Sequence, residues 1–417
     1  MRRAGIALGK PWRWLQSIAG RFEASFDGQV RPRHSEVVAF IRNDPAFRRA
    51  WDRYGKELAV RSWMTGPEPM LPVPAAADWN LPRIESKAGL ASWFNLTVDE
   101  LGWYADLKGI NPKQRDPRLT HYHYTVLTKK SGKIRLIESP KQHLKHMQRR
   151  ILTHILDCVP THPAAHGFVK GRSIQTFASP HVGRDVVLRM DLEDFFPSFP
   201  ARRIQAFFRT IGYPERVADI LGGLCTNTVR FSSWKDSALN KTPHALNDAR
   251  RLYSRPHLPQ GAPTSPALAN LCLYRLDCRL AGLAKSAGAA YTRYADDLAF
   301  SGDRDFAARA ERFSTSVAAI LLESGFAVNH HKTRVMRKGV RQHLAGLVTN
   351  ERLNVPRDDV DRLKAILTNC IRHGWQSQNR TAHADFRLHL AGRVAFVESI
   401  HPVNGAKLRK LLEQIRW

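Results

Sequence analysis

Residues 291–301 read YTRYADDLAFS, with two short β-prone runs on either side of the adjacent pair Asp296 and Asp297. Tyr, Thr and Phe suit a pleated strand, and Asp-Asp is turn chemistry, so the stretch predicts a hairpin carrying two carboxylates at its tip. A third carboxylate, Asp191, ends a separate strand-like run in VVLRMDLEDFFPSF (186–199). Strand, tight turn and strand can hold metal ligands on a rigid platform. Carboxylates bridging two Mg²⁺ ions about 3.5–4 Å apart can activate an attacking hydroxyl and stabilise a leaving pyrophosphate. A plainer reading stays open at this point: Asp-Asp is a common turn dipeptide, and Asp191 can simply cap a helix.

The chain around these acids is strongly basic. Lys and Arg number 65 against 37 Asp and Glu, for a net charge of +28 over 417 residues. Such a balance points to a nucleic-acid partner, with a solvated basic surface or an anionic membrane as the alternatives. A hydrophobic share of 43% supports a sizeable core and excludes disorder throughout. The five cysteines form no CxxC pair, so neither a zinc site nor a disulfide framework is expected, and a reducing cytoplasm fits. The opening MRRAGIALGKPWRWLQSIAG reads as a basic amphipathic arm, not a secretion signal. No run of about 18 apolar residues predicts a membrane span.

Along the chain, residues 66–86 carry five prolines and mark a boundary, which makes 1–86 a basic extension with a Pro-rich linker. LASWFNLTVDELGWYADL predicts two short helices, with Thr97 and Glu100 spaced as a capping box. HYHYTVLTKKSGKIRLIESP predicts a basic hairpin turning at KKSGK, then a helix with Leu144, Met147, Ile151 and Ile155 on one face. Asn227 to His257 is polar and predicts a long loop or an inserted helical pair. Beyond Asn350 three apolar faces recur at helical spacing: Val360 to Cys370, Phe386 to Val397, and Leu408 to Ile415.

LPQGAPTSPALANL (258–271) sets a Gly and three prolines ahead of a helix, a stretch that can offer backbone and Gln260 to a flat partner. In order, MDLEDFFPSF, LPQGAPTSP and YADDLAFSG resemble motifs A, B and C of reverse transcriptases, specifically the bacterial retron type. The resemblance runs from about Leu90 to the C-terminus and takes in RLIESPKQHLKHMQRRIL, HGFVKGRSI, GFAVNHHKTR and HLAGLVTN. It implies an α+β right-hand polymerase with fingers at 87–185, a palm at 186–349 interrupted by an insertion at about 205–257, and a helical thumb at 350–417. It implies RNA-directed DNA synthesis from dNTPs with two Mg²⁺ ions. It also implies a structured noncoding RNA and an RNA/DNA hybrid as partners, an effector protein, a bacterial cytoplasm and a role in anti-phage defence.

By the same resemblance Asp191, Asp296 and Asp297 are the catalytic, metal-holding carboxylates, with Asp297 the more peripheral. Lys332 is matched to a lysine that protonates the leaving pyrophosphate. Lys129 and Arg135 would hold the triphosphate, with Lys130 and Lys133 as substitutes, while Gln260 and Gly261 would line the nucleotide pocket. Phe196, five residues after Asp191, would block the ribose 2′-hydroxyl, unless it is a core ring like its neighbours Phe195 and Phe199. Lys170, Arg172 and His181 would meet template, and Arg357, Arg362 and Lys364 would follow duplex. Two positions depart from the retron pattern: Phe177 stands where NAxxH has Asn, with His181 kept, and Asn350 stands where VTG has Gly.

Overall fold

The computed structural model describes residues 7–9, 12–26, 32, 34–59, 69–113, 116–129, 132–229 and 243–417. Lys130, part of the Pro-rich linker and residues 230–242 of the polar stretch lie outside them. Two compact units each draw on two pieces of chain: residues 1–160 with 196–272, and 161–195 with 273–417. The secondary structure mixes helices with antiparallel strands, as the α+β expectation requires.

The first unit is mostly helical. Near its start, Asp44 caps the helix Pro45–Tyr54 by accepting from the Ala46 and Phe47 amides, and it also pairs with Arg21 at 2.7 Å. The proline-bearing segment is stitched down: Leu71 N–H donates to Gly212 O at 2.8 Å, and the Tyr213 hydroxyl donates to Pro82 O at 3.1 Å. The expected short helices are Lys87–Phe94 and Val98–Ala105, the second opened by the Thr97–Glu100 capping box. Strands β1 (Tyr122–Thr128) and β2 (Ile134–Pro140) form the basic hairpin, paired antiparallel from Tyr122↔Pro140 to Thr128↔Ile134. Gly132, at φ +79°, supplies the left-handed turn residue. The helix Gln142–His154 buries Leu144, Met147 and Ile151, as their spacing predicts. Of the polar insertion, the helix Pro243–Tyr253 is described; Ala249 and Tyr253 pack with Ile134 and Leu136 of β2.

The second unit is built on a four-stranded antiparallel sheet in the order β4 (Ala290–Tyr294), β5 (Asp297–Gly302), β3 (Val186–Asp191), β6 (Arg334–Arg337). Side chains alternate across a sheet, so the register sorts them onto two faces. Leu188 sits opposite Phe300 on one face, where Phe300 meets Phe313 of the helix Arg304–Glu323 at 5.1 Å. Val187, Ala299 and Met336 share the other face with buried Phe177, Leu344 and Leu347, the last two from the short pair β7 (His343–Leu344) and β8 (Leu347–Val348). Because both faces are covered, β3 opens on the apolar run Val186–Leu188 and is buried at every position but Arg189. The three C-terminal faces form the helices Arg357–His373, Phe386–Ile400 and Pro402–Glu413, packed around Leu363, Leu367, Leu390, Val394 and Leu408. Among the described residues, no helix is long and apolar enough to cross a membrane.

Candidate active site

The hairpin is where YTRYADDLAFS predicts it. Tyr294 pairs with Asp297, which leaves Ala295 and Asp296 as a two-residue turn. Ala295 adopts φ +54°, the positive value that the first residue of a primed hairpin turn takes. An alanine there is held by its surroundings. On the far face, Arg293 is fully buried against Asp277, with Nη2 2.6 Å from Oδ2, and its Nη1 donates to the Ala295 carbonyl at 3.2 Å. From the other side Gly167 presses on the turn: a Cβ at this position would lie 2.5 Å from Ala295 N. Lacking a side chain, Gly167 lets its backbone approach the carboxylate turn.

Gly167→Ala is therefore expected to push on backbone that cannot yield, lowering stability by about 1–3 kcal/mol and cutting DNA synthesis with it. Gly171, at φ +75° with open space around it, carries only conformational strain of about 1 kcal/mol on the same change. Thermal melting and dNTP incorporation on the two variants would distinguish these effects; equal behaviour would remove the special role of Gly167.

Asp191 and Asp297 are direct register partners, so they project from one face, and Asp296 follows at the turn between β4 and β5. The Leu192 amide donates to the Asp296 carbonyl at 2.9 Å, closing the two segments on each other. Burial, then the neighbouring Asp191 and Asp297, push the Asp296 carboxyl up to about 6. Burial also raises Asp297, against the opposing pull of Arg189, whose Nη2 lies 2.7 Å from Oδ1. Asp191 is buried and receives Lys332 Nζ at 3.0 Å.

Among the described residues, no group of three or more His, Cys, Asp or Glu is gathered so as to hold a metal ion. Asp297 Oδ1 is engaged by Arg189. The Asp191 and Asp296 pair fits a divalent cation, because its donors are hard carboxylate oxygens and Asp296 stays raised by its acidic neighbours. Lys332 places positive charge beside them.

One expected nucleic-acid contact is corrected. His181 is fully buried: Nδ1 lies 2.7 Å from the Ser301 hydroxyl, and Nε2 lies 2.7 Å from that of Thr292. Thr292 spends its own proton on the Phe177 carbonyl at 2.9 Å, so it accepts from Nε2–H and the ring takes Ser301's proton at Nδ1. Burial holds the imidazole down to about 3, hence neutral. His181 braces β4 and β5 from beneath and cannot reach a phosphate. Arg172, half-buried, donates through Nη1 to the carbonyls of Pro163 and Ala165, the latter at 3.1 Å, which ties one edge of its guanidinium to backbone. Lys170 of the same loop is exposed.

The departures from the retron pattern have structural sense. Phe177 is buried, with its ring 5.7 Å from that of Tyr294. Asn350 accepts from Gln342 N–H at 2.9 Å and donates to the Val340 carbonyl at 2.9 Å.

In the first unit, Arg135 is exposed on β2 and Lys129 half-buried where the hairpin turns. Gln260 and Gly261 sit against β2: Glu138 N–H donates to the Gln260 carbonyl at 2.8 Å, and a Cβ on Gly261 would lie 2.9 Å from Glu138 O. Phe196 is partly exposed, whereas Phe195 and Phe199 are buried. In the C-terminal helices Arg357, Arg362 and Lys364 are all exposed, and Arg357 lies 3.5 Å from Asp361. Arg189, the Arg293–Asp277 pair and Gly167's contact escaped the sequence reading, although the arginine just before YADD was a visible cue.

Comparison with known proteins agrees with this geometry. The family described as "Reverse transcriptase (RNA-dependent DNA polymerase)" matches residues 127–359, more than half of the chain. The chain therefore belongs to the reverse transcriptase family. Its curated relatives include the Retron Mx65 reverse transcriptase of Myxococcus xanthus, 40% identical over 334 residues that span 80% of this chain and 73% of that one. The Retron Mx162 reverse transcriptase of the same organism is 37% identical over 349 residues, 80% and 67% of the two chains. Within the family the chain is of retron type: an RNA-directed DNA polymerase with the α+β right-hand fold. Among solved structures, a telomerase from Candida albicans aligns over 69% of this chain and 56% of its own at 13% identity. The TM-score of that alignment is 0.34.

Proposed function

We propose that this polymerase copies a dedicated noncoding RNA into DNA by Mg²⁺-dependent two-metal catalysis, in bacterial anti-phage defence. The observation that carries the catalytic part is the acidic face itself: buried Asp191 opposite Asp297, with the Asp296 carboxyl pushed up to about 6 beside them. Asp191 and Asp296 would hold the ions, with Asp297, tied to Arg189, at the margin. Bound there, the metals would supply charge stabilisation for the 3′-hydroxyl and the pyrophosphate. The chain's own residues do the rest. Lys332, already beside Asp191, is a proton donor for the leaving group. Arg135 and Lys129 on the hairpin hold the triphosphate, Arg through a bidentate fork and Lys as a point charge. Gln260 and Gly261 line the pocket, and the part-exposed Phe196 ring rejects a ribose 2′-hydroxyl. Lys170 meets template, while Arg357, Arg362 and Lys364 follow duplex; with a net charge of +28 the chain is suited to polyanions. In this reading the fingers are 87–185, the palm 186–349 and the thumb 350–417.

The test gives purified protein, with its co-purifying nucleic acid, labelled dNTPs and Mg²⁺. Incorporation that ribonuclease pretreatment abolishes supports RNA templating. Incorporation that survives it would favour an untemplated or protein-primed polymerase, and none at all a nucleic-acid-binding scaffold. Sequencing the product and its attached RNA identifies the template.

A further inference from the structure

Beneath the motif B loop lies a buried polar network that the proposed mechanism does not use. Glu138 of β2 is fully buried, and both of its carboxylate oxygens are engaged: Oε1 accepts from Asn227 Nδ2 at 2.8 Å, and Oε2 lies 2.9 Å from His257 Nε2. His257 Nδ1 faces the Arg255 carbonyl at 2.7 Å, which can only accept, so Nδ1 carries a proton. The 2.9 Å contact to Glu138 then requires one further proton, shared between imidazole and carboxyl. Burial pushes this imidazole down, but the Glu138 charge and hydrogen bond outweigh it, leaving it raised.

The network's position sets its reach. The backbones of His257 and Asn227 exchange hydrogen bonds of 2.9 and 3.0 Å, and the 256–258 segment also bonds to Phe199 and Ala201, just beyond Phe196. Three residues after His257, the Gln260 carbonyl accepts from the amide of Glu138 itself. The same short stretch of β2 carries Arg135 three residues upstream.

We propose that Glu138 and His257 are a positioning pair for the nucleotide pocket: they lock the Gln260–Gly261 loop and the segment after Phe196 onto the hairpin strand bearing Arg135. Neither residue touches the nucleotide. The inference rests on the reading of Gln260 as a pocket residue and has its own readout.

The experiment measures kcat and KM for dTTP on poly(A) primed with oligo(dT), with thermal melting alongside, for Glu138→Ala, Glu138→Gln and Gln260→Ala. Removing the carboxylate leaves His257 Nε2 without its partner and Asn227 Nδ2 with only the Tyr124 hydroxyl at 3.1 Å, which is expected to loosen the loop and raise KM about tenfold with kcat little changed. Glutamine is expected to restore near-normal KM, since its carbonyl accepts from Asn227 and its amide donates to neutral His257. An unchanged KM in Glu138→Ala, or a Gln variant as impaired as the Ala one, overturns the proposal. If Glu138→Ala does not fold, Asn227→Ala removes one of the two bonds and is expected to raise KM about threefold; no rise overturns the proposal equally. Gln260→Ala with unaltered KM would instead overturn the pocket reading alone.

Discussion

Asp296→Asn is expected to abolish DNA synthesis and, at the same time, to raise the melting temperature of the metal-free protein at pH 7. If Asp296 holds metal as proposed, its loss removes several kcal/mol of transition-state stabilisation, about a thousandfold in rate or more. The stability gain follows from the acidic face. Burial, then Asp191 and Asp297, raise this carboxyl from its ordinary 3.8 to about 6. The folded state thus holds the proton more tightly than the unfolded chain. Wild type has no handicap below the ordinary value and loses stability as pH climbs through about 6, by on the order of 2–3 kcal/mol at neutrality. The asparagine variant escapes that loss. It should melt a few degrees above wild type at pH 7, with the gap closing toward pH 4, whereas Mg²⁺ should raise the melting point of wild type alone. A variant that melts below wild type at pH 7, or still makes DNA at more than a few per cent of its rate, would sink this account.

Phe196→Ala is expected to admit ribonucleotides. The ring is partly exposed between two buried neighbours, Phe195 and Phe199, so it is the one of the three able to meet a substrate. A clash of the size seen for overpacked groups, about 1–3 kcal/mol, corresponds to roughly tenfold to a hundredfold discrimination. The ratio of kcat/KM for dNTP over rNTP should fall by that factor in the variant. Phe199→Ala serves as the contrast: it opens a core cavity costing about 3–5 kcal/mol and should leave the ratio alone. A ratio unmoved by Phe196→Ala would return that ring to the core.

Local pattern carried much of the fold. The YTRYADDLAFS hairpin, the strand ending at Asp191, the Thr97–Glu100 capping box and the three C-terminal helices each depend on neighbours a few residues away, and all are present. What could not be read was pairing across distance. Arg189 and Asp297 are 108 residues apart, and Glu138 and His257 are 119 apart, so neither pairing leaves a periodic trace. His181 misled for a related reason. A histidine in a polar stretch looks available until two hydroxyls from β4 and β5, more than a hundred residues on, enclose it. Nor does anything in HGFVKGRSI show that carbonyls seven and nine residues back will take Arg172 Nη1.

The register of β3 also bears on how the molecule is made. Val186 must find Gly302 and Asp191 must find Asp297, over one hundred residues later. While the ribosome supplies that interval, VVLRMD is an apolar strand with both edges open, and its other neighbour, β6, arrives later still. The acidic face therefore cannot form until most of the chain has been synthesised. Slow or interrupted translation between 192 and 337 would expose a sticky segment, and chaperone demand should concentrate there.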